Sequence, residues 1–117
     1  MLTIPTASPQ VLLNAMKADV AAGHVETWKV DSDGDFKHTS NQMVGKAVWF
    51  RPIVGSATLS FRILLGTTWT DKAERRFAYS YYHGHMTLLI CNRYSARVTA
   101  GGAVASSATP TGADSSI

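Results

Sequence analysis

The sequence predicts an α+β domain: an antiparallel β-meander of about four strands with two helices packed on one sheet face, in the order α-β-β-β-β-α. Three observations carry this expectation. Residues 46–53 and 58–65 alternate apolar and polar side chains on either side of a short Gly/Ser-containing connection, the two-residue period of a half-buried sheet. Residues 8–23 place apolar side chains at helical spacing between a Ser-Pro start and a glycine stop. Residues 71–94 do the same over a longer span.

Taken in order, Ser8 offers a hydroxyl at the helix cap, and Pro9 stands where its missing N–H costs nothing. Leu12, Leu13, Met16 and Val20 form the predicted buried stripe, and Gly23 supplies the left-handed residue that ends the helix. Residues 24–30 carry Val25, Thr27, Trp28 and Val30 and read as a strand. Asp31, Asp33, Gly34 and Asp35 read as a turn, because aspartate side chains bond to nearby amides and glycine accepts positive φ. Residues 36–39 are the short returning strand, and residues 39–45 a loop.

In the next pair of strands, Val48 and Phe50 share one face, with Trp49 and Arg51 on the other. Pro52 has no donor, so the end of its strand belongs at an edge or bulge. Leu59, Phe61, Ile63 and Leu65 make the inner face of the return strand, with Ser60 and Arg62 opposite. Thr70 or Asp71 caps the second helix, with Glu74 at a capping-box offset. Phe77, Tyr81, Gly84, Leu88 and Cys91 are its expected packing face, Gly84 allowing close approach to the sheet. A short further strand fits residues 96–99. Residues 1–99 thus form one domain, and residues 100–117, rich in Gly, Ala, Ser and Thr with only Val104 and Ile117 as larger apolar side chains, read as a loosely attached tail.

Bulk properties narrow the function classes. A chain of 117 residues with 45% apolar content is one folded domain. The first residues lack the basic start and apolar core of a signal peptide, and no apolar run approaches the roughly 18 residues of a membrane span. With a single Cys91, these features make the cytoplasm the expected compartment. The net charge of +3 is unevenly distributed. Residues 1–35 hold two lysines against five acids, whereas residues 36–97 hold nine Lys or Arg against two acids. Such a basic region suits nucleic acid, an acidic partner or a self-complementary surface.

Three groups of residues are candidates for chemistry. Asp31, Asp33 and Asp35 resemble the start of a calcium loop, but an EF-hand needs glycine and a bidentate glutamate where Phe36 and Gln42 stand. A polar turn is the better reading, with a weak metal site as its alternative. Tyr79, Tyr81, His83 and His85 crowd one stretch of the second helix. Two residues apart on a helix, the histidines point about 200° from each other and cannot chelate together. The pairs Tyr79/His83 and Tyr81/His85 are four apart and can touch. No acid stands nearby in sequence to orient either ring, so a packing or contact role outweighs a catalytic one. Trp49, Arg51, Arg62, Trp69, Arg75 and Arg76 are the candidate contact residues for nucleic acid or a protein partner, with Lys46, Lys72, Arg93 and Arg97 adding charge. Trp49 and Arg51 place that contact on the open sheet face.

No nucleotide, metal-protease, redox or nucleophile-elbow motif occurs, and no cofactor is implied. The expectation is a small accessory or regulatory protein acting through macromolecular interaction, homo-oligomeric or bound to a protein partner. Nucleic-acid binding is the alternative, and a small enzyme with a His/Tyr site the second.

Overall fold

A computed structural model describes residues 1–115, and the α+β class and antiparallel sheet are as expected. The elements are β1 (Leu2–Pro5), α1 (Pro9–Ala21), β2 (Trp28–Val30), β3 (Phe36–His38), β4 (Val48–Val54), β5 (Thr58–Leu65), α2 (Lys72–Arg93) and β6 (Ala105–Ser106). The strand order across the sheet is β2-β3-β4-β5-β1-β6, antiparallel throughout.

Local signals place most of these elements. Gly23 takes φ +80°, and the amide of His24 reaches back to Asp19 O at 2.9 Å, closing α1 as a glycine stop. Ser8 occupies the cap of α1 but its hydroxyl makes no capping bond; the first turn is started by Leu12 N–H to Ser8 O at 3.0 Å. In the β2–β3 turn, Asp31 Oδ1 accepts the amides of Asp33 and Asp35 at 2.9 and 3.0 Å, and Gly34 takes φ +83°. Asp71 caps α2 by accepting from Ala73 and Glu74 at 2.8 and 3.0 Å. Pro52 lies in β4 beyond its register with β3, which stops at Phe36 opposite Phe50, so the missing donor breaks no β3 rung.

The core lies between one sheet face and both helices. Phe50, Leu59, Phe61 and Ile63 from the sheet meet Leu12 and Met16 of α1 and Tyr82, Met86 and Ile90 of α2, all fully buried. Trp28 is also inside, stacked over Phe50 at 6.4 Å and edge-on to Tyr82 at 5.2 Å. The helices are joined where Tyr94 donates to Asp19 Oδ2 at 2.7 Å.

Three expectations are corrected. Leu2–Pro5, not assigned in the sequence reading, is a strand on β5, with Leu2 and Ile4 fully buried. Residues 96–99 are not a strand; Ser95–Arg97 form a 3₁₀ turn, and the added strand is β6, paired with β1. The third correction concerns the rotation of α2. Its buried side is Ala78, Tyr79, Tyr82, His83, Met86 and Ile90, while Phe77, Gly84, Leu88 and Cys91 are exposed and Tyr81 is half-buried. A Cβ added at Gly84 would meet nothing within 4 Å, so this glycine is not a close-approach residue. The reason is polar satisfaction. Tyr82 and Tyr79 find partners for their hydroxyls inside the fold, which lets aromatic bulk outcompete the more aliphatic side for the core.

The Tyr82 hydroxyl has a specific task. Registration of Phe36 with Phe50 would bring His38 N–H opposite Val48 C=O as the next rung. Instead the hydroxyl lies between the strands, accepting from His38 N–H at 2.9 Å and donating to Val48 O at 3.4 Å. It bridges β3 and β4 where their ladder has opened. Burial pushes this phenol up to about 12, so it remains a donor.

The segment beyond residue 99 is also tied down, as far as it is described. After β6, the carbonyls of Ser107 and Thr109 accept from the Tyr79 hydroxyl at 2.8 and 3.1 Å. The chain then runs beside β5 past the start of β1. Ile63 N–H bonds Asp114 Oδ1 at 2.9 Å, Ser115 N–H bonds Ile63 O at 2.9 Å, and Leu65 N–H bonds Ser115 Oγ at 2.9 Å. These contacts fill the β5 edge that β1 leaves open. Ile117 lies outside the described residues. No described helix is long and apolar enough to cross a membrane.

Tyr82→Phe should keep the fold but strand the buried His38 N–H, whereas Val48 O keeps the Lys37 Nζ donor at 3.1 Å. We expect a loss of about 1–3 kcal/mol in urea unfolding, with the far-ultraviolet circular dichroism unchanged. An unchanged midpoint would refute the bridging role of the hydroxyl.

Candidate functional site

Helix α2 distributes the candidate residues over three of its sides. Towards the core and the C-terminal segment, Tyr79 and His83 stack with ring centroids 3.9 Å apart. Towards β3, Tyr81 and His85 stack at 4.1 Å. Both predicted i,i+4 pairs therefore form, on different flanks, and the two histidines do not converge.

The hydrogen bonds settle which nitrogen carries the proton in the buried rings. His83 Nδ1 lies 2.7 Å from Tyr79 O, and a carbonyl only accepts, so Nδ1–H is the donor and Nε2 keeps a lone pair. That lone pair is buried without a hydrogen-bond partner, beside Phe50 at 4.9 Å between ring centroids. His38 is the reverse case. Its Nδ1 accepts Ser40 N–H at 3.2 Å, which leaves the proton of the neutral ring on Nε2, also buried and without a hydrogen-bond partner. The His38 ring lies edge-on to Tyr81 at 5.0 Å and 4.7 Å from His85. In this arrangement the His38 and His85 rings are in contact through their faces and edges, with His38 Nδ1 held by Ser40 N–H.

Burial lowers both rings to about 4; a backbone bond to Tyr79 partly offsets this at His83, and the charge of His85 adds to it at His38. Neither ring is hydrogen-bonded to a carboxylate: the bonds run to the backbone. Each ring thus has its Nδ1 tied to the backbone and its body packed against aromatic neighbours. His38 was not singled out from the sequence. The signal was present, because strand alternation puts residue 38 on the same face as the buried Phe36.

The aspartates converge, with one ligand atom from each of Asp31, Asp33 and Asp35 within 4.8 Å of the others. Two of the three are already committed. Asp35 holds Arg51 through a bidentate pair at 2.8 and 2.7 Å, and Asp31 Oδ1 holds the turn amides. The cation served by this loop is the guanidinium of Arg51.

Of the candidate contact residues, the sheet brings together Trp49, Arg51 and Arg62, the two arginines being cross-strand partners. Each has a contact within the chain. Arg51 is paired to Asp35, Arg62 donates to Ala113 O at 3.2 Å, and Trp49 lies under Lys37 Nζ at 4.6 Å. Trp69, Arg75 and Arg76 are assembled elsewhere. Trp69 donates to Ala47 O at 2.7 Å just before the start of β4, and Arg75 donates to Trp69 O at 2.8 Å. Arg76 and Lys72 border a cavity of about 630 Å³ opposite residues 108–112. The six residues do not form one surface.

The third side of α2 faces solvent. Ala73, Phe77, Ser80, Gly84, Leu88 and Cys91 are all exposed and none is charged. At 100° per residue they fall within about 40° of one line along the helix. Phe77 is 49% and Leu88 63% exposed. Beside Phe77 a groove of about 500 Å³ continues over Met43 and Trp69 towards the 40–46 loop, where Val44 is 60% exposed. Phe77 and Leu88 stand about 16 Å apart along this uncharged line, with Ser80 and Gly84 between them.

The buried rings predict an acid response. Folded-state values near 4 against 6.5 unfolded mean that the unfolded chain binds protons first as pH falls. Their stabilising contribution is whole above about pH 6.5 and declines towards pH 4, by about 1.4 kcal/mol per pH unit for each ring. Urea midpoints measured across that window should fall, and His83→Phe should flatten the slope; a slope unaltered by the substitution would contradict the assignment. No protein-family model, curated protein or solved structure matches the chain, so the reading of its site rests on this geometry.

Proposed function

We propose that this protein is a small accessory or regulatory protein that acts by binding another protein surface and not by turning over a small substrate. The observation that carries the proposal is the outward side of α2, where Phe77 and Leu88 stand exposed in an uncharged line that continues into the groove at Met43 and Trp69. Fully burying an exposed side chain of this size contributes about 1.5–3 kcal/mol, and with Phe77 49% and Leu88 63% exposed roughly half of that remains for each in a contact. The surface first suggested by the sequence, around Trp49 and Arg51, is less suited, because its cations already have internal partners. A cytoplasmic setting fits the exposed Cys91 thiol, which stays reduced there.

Nucleic-acid binding is the second reading. The excess of cations in residues 36–97 favours it, together with the cavity bordered by Lys72 and Arg76. Its affinity would fall steeply with salt, whereas an apolar contact tolerates salt.

Light scattering of the purified protein, with and without single-stranded and double-stranded nucleic acid at low and high salt, separates the readings. We expect salt-tolerant protein association indifferent to nucleic acid. The double variant Phe77→Glu, Leu88→Glu should retain its urea midpoint to within about 1 kcal/mol, since both sites are exposed, yet lose association. A mass shift seen only with nucleic acid at low salt supports the second reading. Robust turnover of a small substrate abolished by His83→Ala or His85→Ala would sink the proposal.

A further inference from the structure

We infer that the partner of α2 is α2 of a second copy of this chain, packed antiparallel about a two-fold axis at Gly84. The inference rests on the reading that the outward side of α2 is a contact surface, and it adds the identity and register of the partner.

The spacing along the exposed line carries the register. Phe77 and Cys91 lie equally far from Gly84, on either side of it, and so do Ser80 and Leu88. An antiparallel pair centred on Gly84 therefore sets Phe77 against the partner's Cys91 and Leu88 against the partner's Ser80. Each large side chain meets a small one, twice by symmetry. Gly84, with open space where a Cβ would stand, lets the two helices approach at the axis. Centring the pair on Tyr81 or Leu88 loses this match of large with small.

Charge decides against the parallel alternative. The first turns of α2 carry Lys72, Glu74, Arg75 and Arg76. Parallel pairing would level each of these with its own copy. Antiparallel pairing holds the two Arg76 residues about 24 Å apart along the axis at 1.5 Å per residue, beyond the Debye length of about 10 Å. It sets Arg75 level with the partner's Arg93, whose charge is already paired with Asp19 at 3.3 Å.

Area sets the strength. The 22 residues of α2 span about 33 Å. At a helix width of about 10 Å the seam covers roughly 330 Å², against roughly 800 Å² per partner in a standard interface. The pair is thus a weak, concentration-dependent dimer, to which Val44 and the groove beside Phe77 add only at the margins.

The test uses cysteine chemistry in the full chain. Under mild oxidation Phe77→Cys should form a covalent dimer whose linking peptide joins position 77 to the partner's Cys91. The wild type should form none, because the two Cys91 residues lie roughly 20 Å apart in this register. Removing Phe77 also weakens the seam, so Gly84→Glu provides an independent readout in sedimentation. It places two charges at the axis and should raise the dimer dissociation constant about tenfold or more, with the urea midpoint kept near that of wild type. A Cys91–Cys91 disulfide in the wild type, a dimer indifferent to Gly84→Glu, or a wild type monomeric up to millimolar concentration each overturns the inference. A monomer whose binding to a different protein is lost in the Phe77→Glu, Leu88→Glu variant would overturn the second copy alone. Association untouched by that double variant would remove the α2 contact surface altogether.

Discussion

The hydroxyl of Tyr82 is the contact on which the arrangement of this fold turns. Strands β3 and β4 part after the rung at Phe36 and Phe50, leaving His38 N–H and Val48 C=O without each other, and the phenol bridges them. A buried amide without a partner costs about 1–3 kcal/mol, so the separation of the strands and the rotation of the helix are linked. With Tyr82 pointing inward, Met86 and Ile90 follow at i+4 and i+8 into the core, and Tyr79 three residues earlier flanks them. Gly84, two residues further on, must then point outward with Phe77, Leu88 and Cys91. The exposed line on α2 is a consequence of a bond made on its opposite side.

The same constraint divides the dense His/Tyr stretch between the core and the flank that faces β3. Holding Tyr82 in the core brings His83 beside Phe50, where its Nε2 has no hydrogen-bond partner, and brings the Tyr81/His85 flank against His38. Each buried ring has one nitrogen tied to backbone and is kept neutral by its surroundings. On the far sheet face the Arg51–Asp35 pair joins the β2–β3 turn to β4, while Arg93–Asp19 joins the helices and the Met1 amino group meets Asp114. Arg51 is partly exposed and Asp35 buried, so the pair matters most through the bidentate geometry it gives the turn.

What was legible in the sequence was what short-range chemistry determines. The β4–β5 hairpin, the glycine stop at Gly23, the Asp31 turn and the Asp71 cap depend on residues a few positions apart, and each formed. The strand β1 was not legible because four residues before a Thr-Ala-Ser-Pro stretch carry too short a pattern; only the distant β5 makes them a strand. The same holds for residues 105–115, whose small polar side chains contribute backbone bonds to β1, Tyr79 and β5 and little apolar area. The rotation of α2 failed for a different reason. Counting apolar residues ranked Phe77 and Leu88 above Tyr82 and His83, but a tyrosine with a bridge to make is more useful inside than a leucine is. The candidate site was legible as a stretch, and its division among three sides of the helix was readable from the period of 3.6 alone.

The edges of the sheet bear on how such a protein meets another. Adding a strand to an exposed edge is the commonest way for a small sheet to associate, and it needs a long, flat and unprotected strand. Here one edge is β2, three residues long with Lys29 exposed, and the other is β6, two residues long. The remaining open stretch of β5 is occupied by Asp114 and Ser115 of the same chain. Strand addition is therefore disfavoured at both margins, and on the outer sheet face Arg51 is ion-paired while Arg62 and Lys37 are held by backbone carbonyls. The surface proposed for association is an uncharged helix side, where side-chain packing and not backbone hydrogen bonding would supply the affinity. Such a contact discriminates by shape, so the alternation of large and small residues on either side of Gly84 determines which surface can seat against it.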